Sequence, residues 1–252
     1  MSGSTRGIGY AIAAALVREG VAVVLNGRDA DSVGAAVEAL RAAQPDADVA
    51  GIAADFADPD QVGRLLEELG DVDILVNSVG LFEVADFAAI ADAQWQRYFD
   101  VNVMSGVRLS RHLLGPMLAA GWGRIVFIAS ESGVNVPGDM VHYGATKAAM
   151  LALGNGLAKL TRGTEVTVNT ILGGPTYSDG VADAIDRIAR AQGMPADDLK
   201  AAIAAGNGTS LVQRFLDPAE IADLAVYLAS PRSSATNGAA LRADGGVLTG
   251  IL

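Results

Sequence analysis

Short apolar runs alternate with longer stretches of helical periodicity along the whole chain. The runs fall at 21–26, 49–54, 73–77, 124–129, 166–171 and 239–243, six in all, and most are rich in Val, Ile, Leu and Ala. Continuous apolarity over so few residues predicts strands covered on both faces, as in a parallel sheet. The stretches between them repeat apolar residues at three- and four-residue spacing, which predicts helices over 10–18, 31–43, 58–69, 93–120, 143 to about 160, and 217–229. Asp58-Pro59 reads as an N-cap followed by proline at the first helical position, and Asp217-Pro218-Ala219-Glu220 as a capping box. Asn102 lies near the middle of the 93–120 pattern, where its poor helix propensity asks for a reason. From about 179 to 215 the helical pattern is broken by Gly193, Pro195, Gly206 and Gly208, an irregular insertion of the kind that serves as a lid. Strands alternating with helices predict an α/β chain, a doubly wound parallel sheet in one domain spanning 1–252, with ligands at the carboxyl ends of the strands.

Composition narrows the function. The formal net charge is −11, which argues against nucleic acid and anionic membrane surfaces as partners. There is no cysteine, so neither disulfides nor thiolate metal sites contribute, and no metal site is expected. No apolar run approaches a membrane span, and no charged-then-apolar signal segment opens the chain, so a cytoplasmic location is expected.

Chemistry gathers at the predicted strand ends. Gly3-x-x-x-Gly7-x-Gly9 stands directly before a helix, where glycines admit a pyrophosphate and free N–H groups favour negative charge. Only Met1 and Ser2 precede this loop, although such a loop normally follows a strand. The run 21–26 ends at Gly27-Arg28, with no acid at the place that reads a ribose 2′-hydroxyl. Arg28 and Arg6 have the fork geometry to converge on a 2′-phosphate, or they are solvated surface charges. Ser130 follows the run 124–129, and Tyr143 and Lys147 stand four apart at the start of the next helix. That spacing stacks the two on one face, where an ammonium favours the phenolate and lowers the phenol's pKa. An ordinary amphipathic helix also carries such a pair by chance.

Taken together and in order, Gly3-x-x-x-Gly7-x-Gly9, Asp55, Asn77-x-x-Gly80, Asn102, Ser130, Tyr143-x-x-x-Lys147 and Asp244-Gly245-Gly246 resemble the short-chain dehydrogenase/reductase family over the whole chain. The 3-oxoacyl carrier-protein reductases look nearest. The resemblance implies a Rossmann-like fold, with Tyr143 as general acid or base, Lys147 tuning it and holding the nicotinamide ribose, Ser130 holding the substrate oxygen and Asn102 holding a water. It implies cofactor contacts from Gly3, Ser4, Arg6, Gly7, Ile8, Gly9, Arg28, Asp55, Phe56, Asn77, Gly80, Tyr143, Lys147, Gly174, Thr176 and Ser178. NADP(H) is favoured over NAD(H), the substrate is a ketone or secondary alcohol, and a homodimer or homotetramer is implied.

Three departures from the family pattern stand out. Asn77-Ser78-Val79-Gly80 replaces Asn-Asn-Ala-Gly, and Gly173-Gly174 replaces Pro-Gly. The family's first strand is absent, which would leave flanking backbone groups without ladder partners. Either the chain as given starts late, or it is a truncated, impaired member acting as a nucleotide-responsive binding or scaffold protein. Intact Ser130, Tyr143 and Lys147 argue for the enzyme.

Overall fold

The structure is a computed structural model and describes residues 1–251. Six strands alternate with helices: β1 (Val23–Gly27), β2 (Val49–Ala53), β3 (Ile74–Asn77), β4 (Trp122–Ile128), β5 (Glu165–Gly173) and β6 (Ala240–Ala243). All are parallel, in two sheets ordered β1-β2 and β3-β4-β5-β6. The helices are α1 (Gly7–Arg18), α2 (Ala30–Ala43), α3 (Pro59–Leu69), α4 (Asp92–Tyr98), α5 (Met104–Ala120), α6 (Val141–Ala158), α7 (Asp179–Gln192), α8 (Ala196–Gly206) and α9 (Pro218–Ala229). One apolar cluster packs α1, α2 and α9 on the sheet, through residues such as Ile12, Leu16, Leu25, Ile221 and Leu228. A second, including Leu75, Leu113, Met117, Phe127 and Met150, covers the other face with α3, α5 and α6. Both expected caps form: Asp58 accepts from the Asp60 and Gln61 amides, and Asp217 with Glu220 closes a capping box.

Residues 1–4 do not form a named strand, yet they lie between the two sheets. Met1 N donates to Val24 O at 2.8 Å, Ser2 N to Val76 O at 3.0 Å and Ser4 N to Asn26 O at 2.8 Å. Ser2 and Asn77 form a parallel bridge. The sheet is thus joined only at its carboxyl end. Below Met1 a cleft of about 350 Å³ separates β1 from β3, lined by Val24, Leu65, Leu69, Ile74, Val76 and Leu109 among others. The first residues thus supply ladder bonds to both β1 and β3 at the edge of this cleft.

The predicted 93–120 helix is three pieces. α4 and α5 are joined by a wide π-type turn, Phe99–Val103, and Asn102 sits in it. A π turn is a recurrent device at functional sites, and it accounts for an Asn where α-helical propensity disfavours one. The 179–215 stretch contains α7 and α8, with Gly193 ending α7 in the left-handed conformation. Among the described residues no helix is long and apolar enough to cross a membrane.

The Met1 ammonium is enclosed at the top of the cleft, and that burial lowers its pKa from 8.0 to about 6. The unfolded chain therefore binds more protons between pH 6 and 8, so stability rises with pH across that window and the penalty is complete below it. At about 1.4 kcal/mol per unit, the difference approaches roughly 2–3 kcal/mol. Urea midpoints at pH 6 and pH 8 check this. Fusing six apolar β-branched residues ahead of Met1 should both raise the midpoint and remove its pH dependence.

Candidate active site

The carboxyl ends of the strands carry the predicted residues into one region. The loop Gly3–Arg6 passes from the first residues into α1, and Gly7 has a positive φ of 59°. Gly9 is required for a different reason: a Cβ there would lie 2.0 Å from the Gly3 carbonyl oxygen. The loop is folded back on its own helix, leaving α1 with Arg6 as an N-cap whose side chain does not cap the helix. One free N–H there is already answered, because Gly7 N donates to Asp179 Oδ2 at 2.7 Å, from the first turn of α7. Arg6 pairs with Asp183 of the same helix at 3.2 Å, both exposed. Arg6 is therefore directed to α7 rather than set beside Arg28.

Other loop residues have internal tasks. The Ser4 hydroxyl accepts from Asn26 N at 2.9 Å and donates to Met1 O at 3.1 Å, and Ile8 packs against the α1-side core. Arg28 is exposed just past β1. The next residue, Asp29, is an acid, but it caps α2 through Ser32 N at 2.8 Å and the Ser32 hydroxyl. These bonds hold its carboxyl below the usual range. Asp55 accepts from Ala57 N at 2.9 Å and its own amide donates to Gln61, while Phe56 is buried. Thr176 is buried and donates to Gly174 O at 2.9 Å; Gly174 N donates to Ala243 O, and Ser178 stands before α7, across from Gly7. Asn77, at the end of β3, is buried with neither side-chain polar atom partnered.

Ser130, Tyr143 and Lys147 converge beyond β4. Ser130 leaves the strand in extended conformation and opens the short 3-10 turn Glu131–Gly133, its oxygen accepting from Ser132 N at 3.1 Å. Its hydroxyl donates to Glu131 Oε2. Lys147 Nζ lies 5.6 Å from the Tyr143 ring centroid and donates to Ile128 O at 2.9 Å. A Cβ at Gly80 would stand 3.4 Å from that Nζ, so the loop after β3 closes over it. Asn102 ties the set together: Oδ1 accepts from Leu81 N at 2.7 Å, and Nδ2 donates to Leu81 O and to Thr146 Oγ1. Both Nδ2 protons are spent, which leaves one Oδ1 lone pair for a water.

The electrostatics differ from the simple expectation. Burial pushes the Tyr143 phenol well above its usual value, the neighbouring Ser130 hydroxyl acts the other way, and Glu131 and Tyr98 add to the rise. Burial also lowers Lys147 to about 8, with Glu131 opposing. Desolvation outweighs the help of the neighbouring ammonium, which is why the pair does not lower the tyrosine here. Sequence reasoning missed Glu131, although it stands next to Ser130, and also Thr146 and the aromatic wall of Phe82 and Tyr98. Phe82 packs edge-on to Tyr143 at 6.5 Å, and Tyr98 stacks on the buried His142 at 4.1 Å. Asp179 and Asp183, both in α7, give no local signal of partners 172 and 177 positions away.

Comparison with known proteins places the fold in a family. The family profile described as Enoyl-(Acyl carrier protein) reductase matches residues 3–248. The uncharacterized oxidoreductase YvrD of Bacillus subtilis is 44% identical, with all of this chain and 96% of that protein covered. D-beta-hydroxybutyrate dehydrogenase of Rhizobium meliloti is 31% identical over 98% of this chain and 96% of its own length. The crystal structure of L-sorbose reductase from Gluconobacter frateurii, complexed with NADPH and L-sorbose, superposes with a TM-score of 0.93 at 30% identity, covering 100% of this chain and 96% of that one. The chain belongs to the short-chain dehydrogenase/reductase family of oxidoreductases.

Gly9→Ala forces the Gly3 carbonyl away from α1. It should weaken NADPH binding at least tenfold in a fluorescence titration while circular dichroism shows the helices retained.

Proposed function

We propose that the protein reversibly reduces a ketone to a secondary alcohol with a nicotinamide dinucleotide, Tyr143 moving the proton. The observation that supports this best is the grouping of half-buried Tyr143 with buried Ser130 and Lys147 at the end of β4. The residues present fit the cofactor: the turn before α1 is shaped by Gly3, Gly7 and Gly9, and the Asn77 amide is buried without a partner at the end of β3. Gly3 to Gly9 would hold the pyrophosphate, with Thr176 and Ser178 opposite. Asp55, Phe56, Asn77 and Gly80 would line the adenosine side, and Lys147 the nicotinamide ribose.

When bound, the cofactor supplies or accepts the hydride. The proton is the chain's task. In reduction Tyr143 donates its phenolic proton to the substrate oxygen, and burial keeps that proton in place at neutral pH. In oxidation the phenolate is needed, and Lys147 supports it when charged. Ser130 faces the oxygen on which charge develops. Asn102 holds the loop after β3 against α6 through Leu81 and Thr146, with one lone pair free for a water that connects Lys147 to solvent. Self-association into a dimer or tetramer through α5 and α6 belongs to the same reading.

NADP(H) is favoured for the reason that Asp29 is spent on its cap and Arg28 stands exposed beyond β1. The Arg6–Asp183 pair is exposed, and such pairs contribute about 0–1 kcal/mol, so a 2′-phosphate can compete for Arg6.

Tyr143→Phe should abolish turnover, with less than a thousandth of the wild-type kcat left, while the NADPH dissociation constant stays within about threefold. Residual activity within tenfold of wild type contradicts the proton-donor role. Arg28→Glu should lower the NADPH-to-NADH ratio of kcat/KM by at least tenfold, read in steady-state assays with each cofactor.

A further inference from the structure

The proton of Ser130 is already taken. The hydroxyl donates to Glu131 Oε2, while its oxygen accepts from the Ser132 amide. The same carboxylate accepts from the Ser132 hydroxyl through Oε1 at 3.2 Å. Among the described residues Glu131 has no ion-pair partner: each salt bridge involves other groups, and the nearby Lys147 ammonium donates to the Ile128 carbonyl. The side-chain partners of Glu131 are the two serine hydroxyls, and its charge is felt at both Tyr143 and Lys147.

This has a consequence for any substrate oxygen placed between Ser130 and Tyr143. A hydrogen bond to a carboxylate is roughly twice as strong as one between neutral groups. A plain ketone oxygen is a neutral acceptor, so it competes poorly for the single Ser130 proton. A substrate with a hydroxyl on the carbon beside the carbonyl resolves the conflict. Its hydroxyl donates to Glu131 in place of Ser130, and the Ser130 proton turns to the ketone oxygen. Ser130 Oγ and Glu131 Oε2 are one hydrogen bond apart, which is also the relation between the two neighbouring oxygens of an α-hydroxy ketone. A substrate with a carboxylate at that position meets like charge and leaves Glu131 unanswered, so it is disfavoured twice.

We infer that Glu131 is a specificity-determining residue that selects α-hydroxy ketones, and the matching vicinal diols in the reverse direction, over plain and acid-bearing ketones. The inference rests on the oxidoreductase reading. It moves no additional proton in the reaction; Tyr143 still supplies the one transferred, and Ser130 only redirects its hydroxyl.

The test compares 2-hydroxycyclohexanone with cyclohexanone, with NADPH, in the wild type, Glu131→Gln and Glu131→Ala. In the wild type kcat/KM should favour the hydroxy ketone by tenfold or more, chiefly through KM. In both variants that ratio should fall at least tenfold, because the hydroxy ketone loses its charged acceptor while the plain ketone gains from a less tightly held Ser130 proton. An NADPH titration verifies that the variants are folded. An unchanged ratio, or an equal loss on both ketones with cofactor binding intact, overturns the role of Glu131 and leaves the oxidoreductase reading standing. Absence of wild-type turnover on both ketones, and on a wider ketone panel, overturns that reading and this inference with it.

Discussion

Three backbone hydrogen bonds made by the first four residues hold this structure's working end together. Met1 and Ser4 bond to β1 and Ser2 bonds to β3, so the two sheets meet only there. The distance between β1 and β3 sets where Gly3 lies, and the Gly3 carbonyl lies against Gly9 with no room for a Cβ. The loop, the start of α1 and the loop after β3 therefore depend on a ladder a few residues long. Its lower part is an apolar cleft, and the Met1 amine, whose pKa burial lowers, sits at the top of it. Buried ladder groups and a buried ammonium both cost free energy, so stability and site geometry are coupled at this seam.

The other half of the site rests on a more complete frame. β4 is paired on both sides, by β3 and β5, and its end delivers Ser130 to a turn pressed against α6. Asn102 in its π turn bridges that helix and the loop after β3. Tyr143 and Lys147 are held by packing on several sides. The contrast between a braced catalytic end and a thinly braced cofactor end runs through the molecule, and α7 closes over the weaker side through Asp179 and Asp183.

Much of this was legible in the chain. All six strands appear in the sequence pattern as short runs rich in apolar residues between helical stretches. Both caps at Asp58 and Asp217 were readable as well, since capping is a local exchange between a side chain and amides two or three residues away. The break in the 93–120 helix was not legible, since a π turn leaves the apolar spacing almost intact. Arg6 was misdirected because its partner is 177 positions away. The rise of the Tyr143 pKa was missed because spacing shows which charges are near, whereas the desolvation that dominates comes from residues across the fold.

By itself the sequence determined the parallel α/β architecture, the order of its elements and the kinds of side chain brought to the strand ends. Those follow from periodicity and local hydrogen bonding, which act over a few residues. Only the tertiary structure decided that residues 1–4 bridge two sheets across an open cleft, that the Tyr143–Lys147 pair is buried enough to invert the expected shift, and that Glu131 holds the Ser130 proton. Each of these is a matter of enclosure and of distances between distant parts of the chain, and no local rule carries that information.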